Sequence, residues 1–342
     1  MSDSGRVAGC AAIFGLSGPH LTEAERDLFL RAQPVGYILF ARNIQSPNQV
    51  KSLTADLRGL SEATPLILID QEGGRVARLK PPHWRAAPSA RRFGDLARTD
   101  RDAACRATGI NAGLLAAELA VLGINVDCAP VLDLPVSGAH DIIGDRAFAA
   151  DPETVSLLGR AFCAGMIAAG VLPVIKHIPG HGRATVDSHQ DLPRVPDTLE
   201  TLRRTDFAPF TALADMPLAM TAHIVYVAID AEAPATLSRK VIQETIRGEI
   251  GFDGVLMTDD LGMRALSGTP ESLAETALRA GCDLILHCSG DLSEMQSITE
   301  ACGAPGPDAQ RRICQALALL PAGSATVDMA AMLDELASLL PA

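Results

Sequence analysis

Three short clusters carry most of the side chains able to do chemistry in this 342-residue chain. The first is Asp70-Gln71-Glu72-Gly73-Gly74-Arg75-Val76-Ala77-Arg78, directly after an apolar run. A carboxylate there is held by a strand end and can accept hydrogen bonds from sugar hydroxyls. The paired glycines let the chain turn sharply, and Arg78 can return to bind an oxygen-rich group. A plain loop ion pair between Asp70 or Glu72 and an Arg accounts for the same residues. The second cluster is Lys176-His177-Ile178-Pro179-Gly180-His181-Gly182, followed by Asp187-Ser188-His189. Asp187 is close enough in sequence to orient the His189 imidazole and favour its cationic form, which suits a general acid/base. A metal site built from His177, His181 and Asp187 or His189 is the competing reading. Its spacing is not the helical HExxH pattern, and Pro179 with its glycines excludes a helix. The third cluster is Thr258-Asp259-Asp260-Leu261-Gly262-Met263. Neighbouring strand residues face opposite ways, so one carboxylate of the pair is expected in a cavity and the other on backbone donors. A carboxylate on a rigid strand end can attack an anomeric carbon. Weaker signals are Asp133, Ile143-Gly144-Asp145-Arg146 and Thr221-Ala222-His223.

Such groups need a scaffold that gathers strand ends on one face. Eight runs rich in Val, Ile and Leu read as strands buried on both faces: 11–16, 36–40, 66–70, 125–131, 174–177, 219–225, 254–258 and 284–287. Helical segments are expected between them: 22–32, opened by a Thr22/Glu25 capping box, then 47–60, 102–122, 151–169, 197–214, 238–249 and 271–280. Eight strand–helix units predict an α/β fold, a single-domain (β/α)8 barrel over residues 1–342, with its site on the C-terminal face. A doubly wound sheet is the alternative. Residues from about 303 to 342 are expected to form terminal helices (309–320 and 329–340) packed on the barrel.

The formal net charge of −12 and the lack of basic runs argue against nucleic acid or an anionic membrane as partner. No CxxC pair occurs among the eight cysteines, which read as reduced core thiols. The longest apolar stretch is shorter than the roughly 20 residues a span needs, and no signal peptide is apparent at the N-terminus. A cytoplasmic monomer is the expectation. Phosphate-binding, dinucleotide-binding and serine-hydrolase signatures are absent.

Taken together, the motifs DQEGGRVAR (70–78), IGDR (143–146), KHIPGHG (176–182) with DSH (187–189), and TDDLGM (258–263) resemble glycoside hydrolase family 3, in particular its single-domain bacterial β-N-acetylhexosaminidases of peptidoglycan recycling. The resemblance runs from about Gly9 to Cys288. It implies Asp259 as nucleophile and His189, paired with Asp187, as acid/base. It also implies a sugar held by Asp70, Arg78, Arg146, Lys176 and His177, and a need for neither metal nor organic cofactor. The reaction implied is retaining removal of N-acetylglucosamine from 1,6-anhydro-N-acetylmuramic acid, with or without a peptide. A family 3 β-glycosidase or glycoside phosphorylase of other sugar specificity is the alternative. Ile178 stands where Phe is more usual, and Thr258 and Gly262 where Ser is commoner. The second domain of larger members has no counterpart expected here.

Overall fold

The computed structural model describes residues 9–136, 138, 142–184, 186, 191–321 and 328–341. Of the ten strands among them, eight close a parallel barrel. They are β1 (Ala12–Gly15), β2 (Gly36–Leu39), β3 (Leu66–Ile69), β4 (Val126–Asp127), β5 (Leu172–Ile178), β7 (Leu218–Thr221), β9 (Val255–Asp260) and β10 (Leu284–His287). Each pairs with the next, and β10 returns to β1 through Ile285 opposite Ala12. The remaining two, β6 (Arg194–Val195) and β8 (Val225–Tyr226), pair with each other outside the barrel.

The apolar runs lack polar alternation because both strand faces are buried. On β3, Leu66 and Leu68 join a cluster with Ile13, Val126, Val174, Met257 and Leu284 that fills the barrel. Ile67 and Ile69 face the surrounding helices instead. Inward and outward residues therefore alternate, as the pleat requires.

Helices cover the barrel between strands. The Thr22 capping box opens α1 (Glu23–Ala32). Ser46 and Pro47 open α2 (Pro47–Arg58), and Asp151 caps α5 (Pro152–Ala168). Asp100, rather than Asp102, caps the long α4 (Arg101–Ala120). Between α2 and α4 lies α3 (Ala90–Ala97), which follows the Pro-rich stretch and was not anticipated.

The helix expected over 197–214 is two, α6 (Leu199–Arg204) and α7 (Phe207–Ala212). Pro209 has no N–H to offer the Thr205 carbonyl, and its ring would crowd that carbonyl in a continuous helix. The segment Val241–Glu249 is π-helical, and α8 (Pro270–Ala280) and α9 (Leu292–Ala301) follow. The strand expected over 219–225 also divides. Ala222 still donates to Ile178 O, but Val225 donates to Pro193 O of the outer pair. The fourth strand is shorter than expected because Pro130 has no N–H for the ladder.

Two last helices fall near the expected positions. From α10 (Pro307–Leu317), Ile313 and Ala316 pack beneath Ala11, Val35 and Leu66, closing the N-terminal end of the barrel. The other, α11 (Met329–Leu339), packs on α4, with Met332 against Gly113 and an Arg106–Glu335 ion pair. No helix among the described residues is long and apolar enough to cross a membrane.

Candidate active site

At the C-terminal rim the interior parity runs on from apolar to charged residues. Leu66 and Leu68 point inward, and Asp70 continues their series. Lys176 continues Leu172 and Val174, and Asp259 continues Val255 and Met257. All three line one cavity of about 240 Å³, with Glu72, Arg78, Arg146 and His177 beside them. The barrel therefore converges groups more than a hundred residues apart in sequence.

Lys176 stands at the centre, 2% exposed, with its Nζ 2.9 Å from Asp70 Oδ1 and 2.7 Å from Glu72 Oε1. Arg78 donates to Asp70 Oδ2 at 3.0 Å. Arg146 grips both oxygens of Glu72, each at 2.8 Å. Two carboxylates thus face three cations, a net charge of +1. Burial opposes every charge here, but opposite neighbours outweigh it. Lys176 and Arg78 hold Asp70 below the usual carboxylate range, and Lys176 and Arg146 do the same for Glu72. Conversely, Asp70 and Glu72 hold the Lys176 ammonium above its usual value. The ion pair that offered a bland explanation of the first cluster is present, and it is part of the cavity wall.

Buried Asp133 organises the next turn. Its Oδ2 lies 2.7 Å from His177 Nδ1, and its Oδ1 accepts from the His177 and His181 amides at 3.2 and 2.6 Å. Burial and the nearby His177 push His181 down to about 4, so it is neutral at pH 7. Gly182 passes so close to the Leu134 carbonyl that a Cβ would sit 1.8 Å from it. Gly180 (φ +137°) lies against Asp206. These contacts explain both glycines of the motif.

Asp259 is held ionised although burial opposes it. His177 and His223, the Asp260 amide donating to its Oδ1 at 2.8 Å, and Lys176 together keep its pKa below the usual range. Asp260 departs from strict alternation by also reaching the cavity edge. Its Oδ1 nevertheless accepts from the amides of Gly262 and Cys288, both at 3.0 Å, which is the role expected for one member of the pair. His223 serves beneath them. Its ring bridges Thr236 Oγ1 at 2.7 Å and the Asp260 carbonyl at 3.0 Å, and burial lowers its pKa.

Asp187 and His189 lie outside the described residues. Among the described residues, no three His, Cys, Asp or Glu side chains are grouped to hold a metal ion. Phe40, Met220, Leu286 and Cys288, which no motif singles out, supply part of the apolar lining. Phe40 ends the second apolar run, with the Arg78 guanidinium 5.4 Å from its ring centroid. Its place at a strand terminus was the available signal.

Comparison with known proteins agrees with this geometry. The model of the glycosyl hydrolase family 3 N terminal domain matches residues 14–317. The Beta-hexosaminidase of Alkalilimnicola ehrlichii is 44% identical over 285 residues, covering 81% of this chain and 80% of that protein. The crystal structure of native NagZ from Neisseria gonorrhoeae matches with a TM-score of 0.89 at 31% identity, covering 98% of this chain and 99% of that one. The structure of the same enzyme in complex with N-trifluoroacetyl-D-glucosamine matches equally, again with a TM-score of 0.89, 31% identity and coverage of 98% and 99%. A parallel barrel with a carboxylate-and-cation cavity at its C-terminal rim, matched over this much of its length, places the chain in glycosyl hydrolase family 3.

Proposed function

We propose that this chain, a family 3 glycosidase of the β-hexosaminidase kind, is a retaining exo-β-N-acetylglucosaminidase. Its substrates are peptidoglycan fragments in which N-acetylglucosamine is joined to 1,6-anhydro-N-acetylmuramic acid, with or without a peptide. The observation that carries this reading is the Asp259 carboxylate, ionised on a rigid strand end and opening into a cavity walled by Asp70, Glu72, Lys176, Arg78 and Arg146. The N-acetylglucosamine analogue held by the similar gonococcal enzyme supports the choice of sugar.

In the proposed reaction Asp70, Arg78, Arg146, Lys176 and His177 hold the terminal sugar. Asp259 attacks the anomeric carbon while His189, oriented by Asp187, gives its proton to the departing glycosidic oxygen. An ester links the sugar to Asp259. His189 then takes a proton from water, whose oxygen attacks the anomeric carbon, freeing Asp259 and releasing the sugar with its β configuration. A His acid avoids a second carboxylate beside the nucleophile, which would raise the nucleophile's pKa. We further propose that residues 1–342 act as one domain, a monomer in the cytoplasm. Hydrolysis of 4-nitrophenyl N-acetyl-β-D-glucosaminide and of the matching β-D-glucoside, with Asp259→Asn as control, tests the reading. Cleavage of the first alone, lost in the variant, is expected. Preferential cleavage of the glucoside, or undiminished activity in the variant, refutes it.

A further inference from the structure

Among the described residues, Arg183 bridges the two ends of the segment carrying Asp187 and His189. Its Nη1 donates to Asp197 Oδ1 at 2.9 Å, fourteen residues along the chain and just past β6. Its Nε donates to Asp206 Oδ2 at 2.6 Å and its Nη2 to Thr205 Oγ1 at 3.0 Å, both at the break between α6 and α7. Arg183 is 14% exposed at its side chain and Asp206 only 1%. Two neighbouring contacts secure the same end: Tyr226 donates its hydroxyl to Gly180 O at 2.5 Å, and Asp133 takes the His181 amide. The far end is secured where Val225 donates to Pro193 O and β6 pairs with β8. The planar guanidinium suits this task, because its fixed fork reaches three acceptors at two separate places in the chain at once, which a lysine ammonium matches poorly.

We propose that Arg183 is a positioning residue for the reaction, a clasp that joins residue 183 to Asp197 and so fixes the two ends from which the segment carrying His189 runs. The proposal rests on the reading of His189 as general acid. Loss of the clasp frees residue 183 from Asp197 and leaves the buried Asp206 carboxylate without its cation, at a cost in fold stability, and misplacing a proton donor by about 1 Å can cost on the order of a hundredfold in rate. In the first step the loss is confined to substrates whose leaving group needs a proton, whereas the second step, in which His189 acts on water, slows for all of them.

The test compares kcat/KM, which reports the first step alone, on N,N′-diacetylchitobiose, whose leaving alkoxide needs protonation, and on the 4-nitrophenyl glycoside, whose leaving phenolate does not. Arg183→Ala is expected to lower kcat/KM on the first by about tenfold or more and on the second by less than about threefold, while kcat and KM on the second fall together as the base-assisted step slows. Arg183→Lys is expected to recover part of the chitobiose rate. Asp197→Asn, at a side chain only 30% exposed but near the surface end of the network, is expected to show a smaller loss of the same selectivity, and it decides the matter if Arg183→Ala does not fold. His189→Ala is the reference. If it loses both substrates equally, the acid reading fails and the clasp with it. If it is selective while Arg183→Ala and Asp197→Asn lose both substrates equally or neither, the clasp alone is refuted.

Discussion

Replacing Lys176 by Met removes the charge on which the cavity wall is balanced. The ammonium is 2% exposed and lies 2.9 Å from Asp70 and 2.7 Å from Glu72. At an effective dielectric constant near 20, each contact carries a gross attraction of about 6 kcal/mol. Most of that offsets the cost of taking the charges out of water. After the change neither carboxylate is left alone, since Asp70 retains Arg78 at 3.0 Å and Glu72 retains Arg146 at 2.8 Å. The expected loss is therefore that of two charge-assisted hydrogen bonds less one buried ammonium, about 3 kcal/mol at pH 7. For a chain of this size that is roughly 4 °C in Tm. The pH dependence follows from the direction of the shifts. Asp70 and Glu72 are held below their unfolded values, so the stability they contribute is present above an unfolded pKa of about 4 and is lost as pH falls through their folded values. Without Lys176 those folded values rise. The deficit of the variant should be full near pH 7 and should shrink as pH falls through the variant's raised carboxylate values, where its folded carboxylates take up protons before those of the parent do. Urea denaturation followed by circular dichroism from pH 7 to pH 3 measures both features. Equal stability at pH 7, or a deficit that stays constant across the range, would refute the reasoning.

Asp260→Ala should release the Gly262 and Cys288 amides and cost about 1–3 kcal/mol of stability while leaving substantial activity. Activity as low as that of Asp259→Asn would instead point to Asp260 as the nucleophile. Asp133→Asn should reverse the hydrogen bond at His177 Nδ1, and with it the tautomer presented to the sugar, lowering kcat/KM by roughly 10–100-fold. An unchanged value would show that the Asp133–His177 contact does not orient the ring. Inorganic phosphate added to an assay of the 4-nitrophenyl glycoside should neither raise the rate nor yield a sugar phosphate. Formation of N-acetylglucosamine 1-phosphate would move the reading to a phosphorylase.

Much of the site was legible because it obeys one local rule. Asp70, Lys176 and Asp259 each sit two residues beyond an inward-facing apolar residue of their own strand, so the apolar runs already indicated which charged residues would enter the barrel. The eight-strand count was legible for a related reason, since strands buried on both faces leave continuous apolar runs. The breaks were harder to foresee. Pro209 divides one amphipathic stretch into α6 and α7, and the Arg183 network at this break joins residues with no shared periodicity. Missing α9 has a different cause: its inward face is only Met295 and Ile298, too sparse for a 3.6-residue pattern. Asp133 stood out only as a polar residue past a strand, and its bonds to His177 and His181 depend on a turn that no spacing encodes.

The central claim is a covalent sugar–Asp259 intermediate. Trapping it with a slowly hydrolysed 5-fluoro N-acetylglucosaminyl donor, followed by peptide mass spectrometry, tests that claim most directly. One fluorinated N-acetylhexosaminyl residue on the peptide bearing Thr258-Asp259-Asp260, with fragments assigning it to Asp259, is the predicted result. Turnover without any adduct, or an adduct on Asp260 or another side chain, would contradict it.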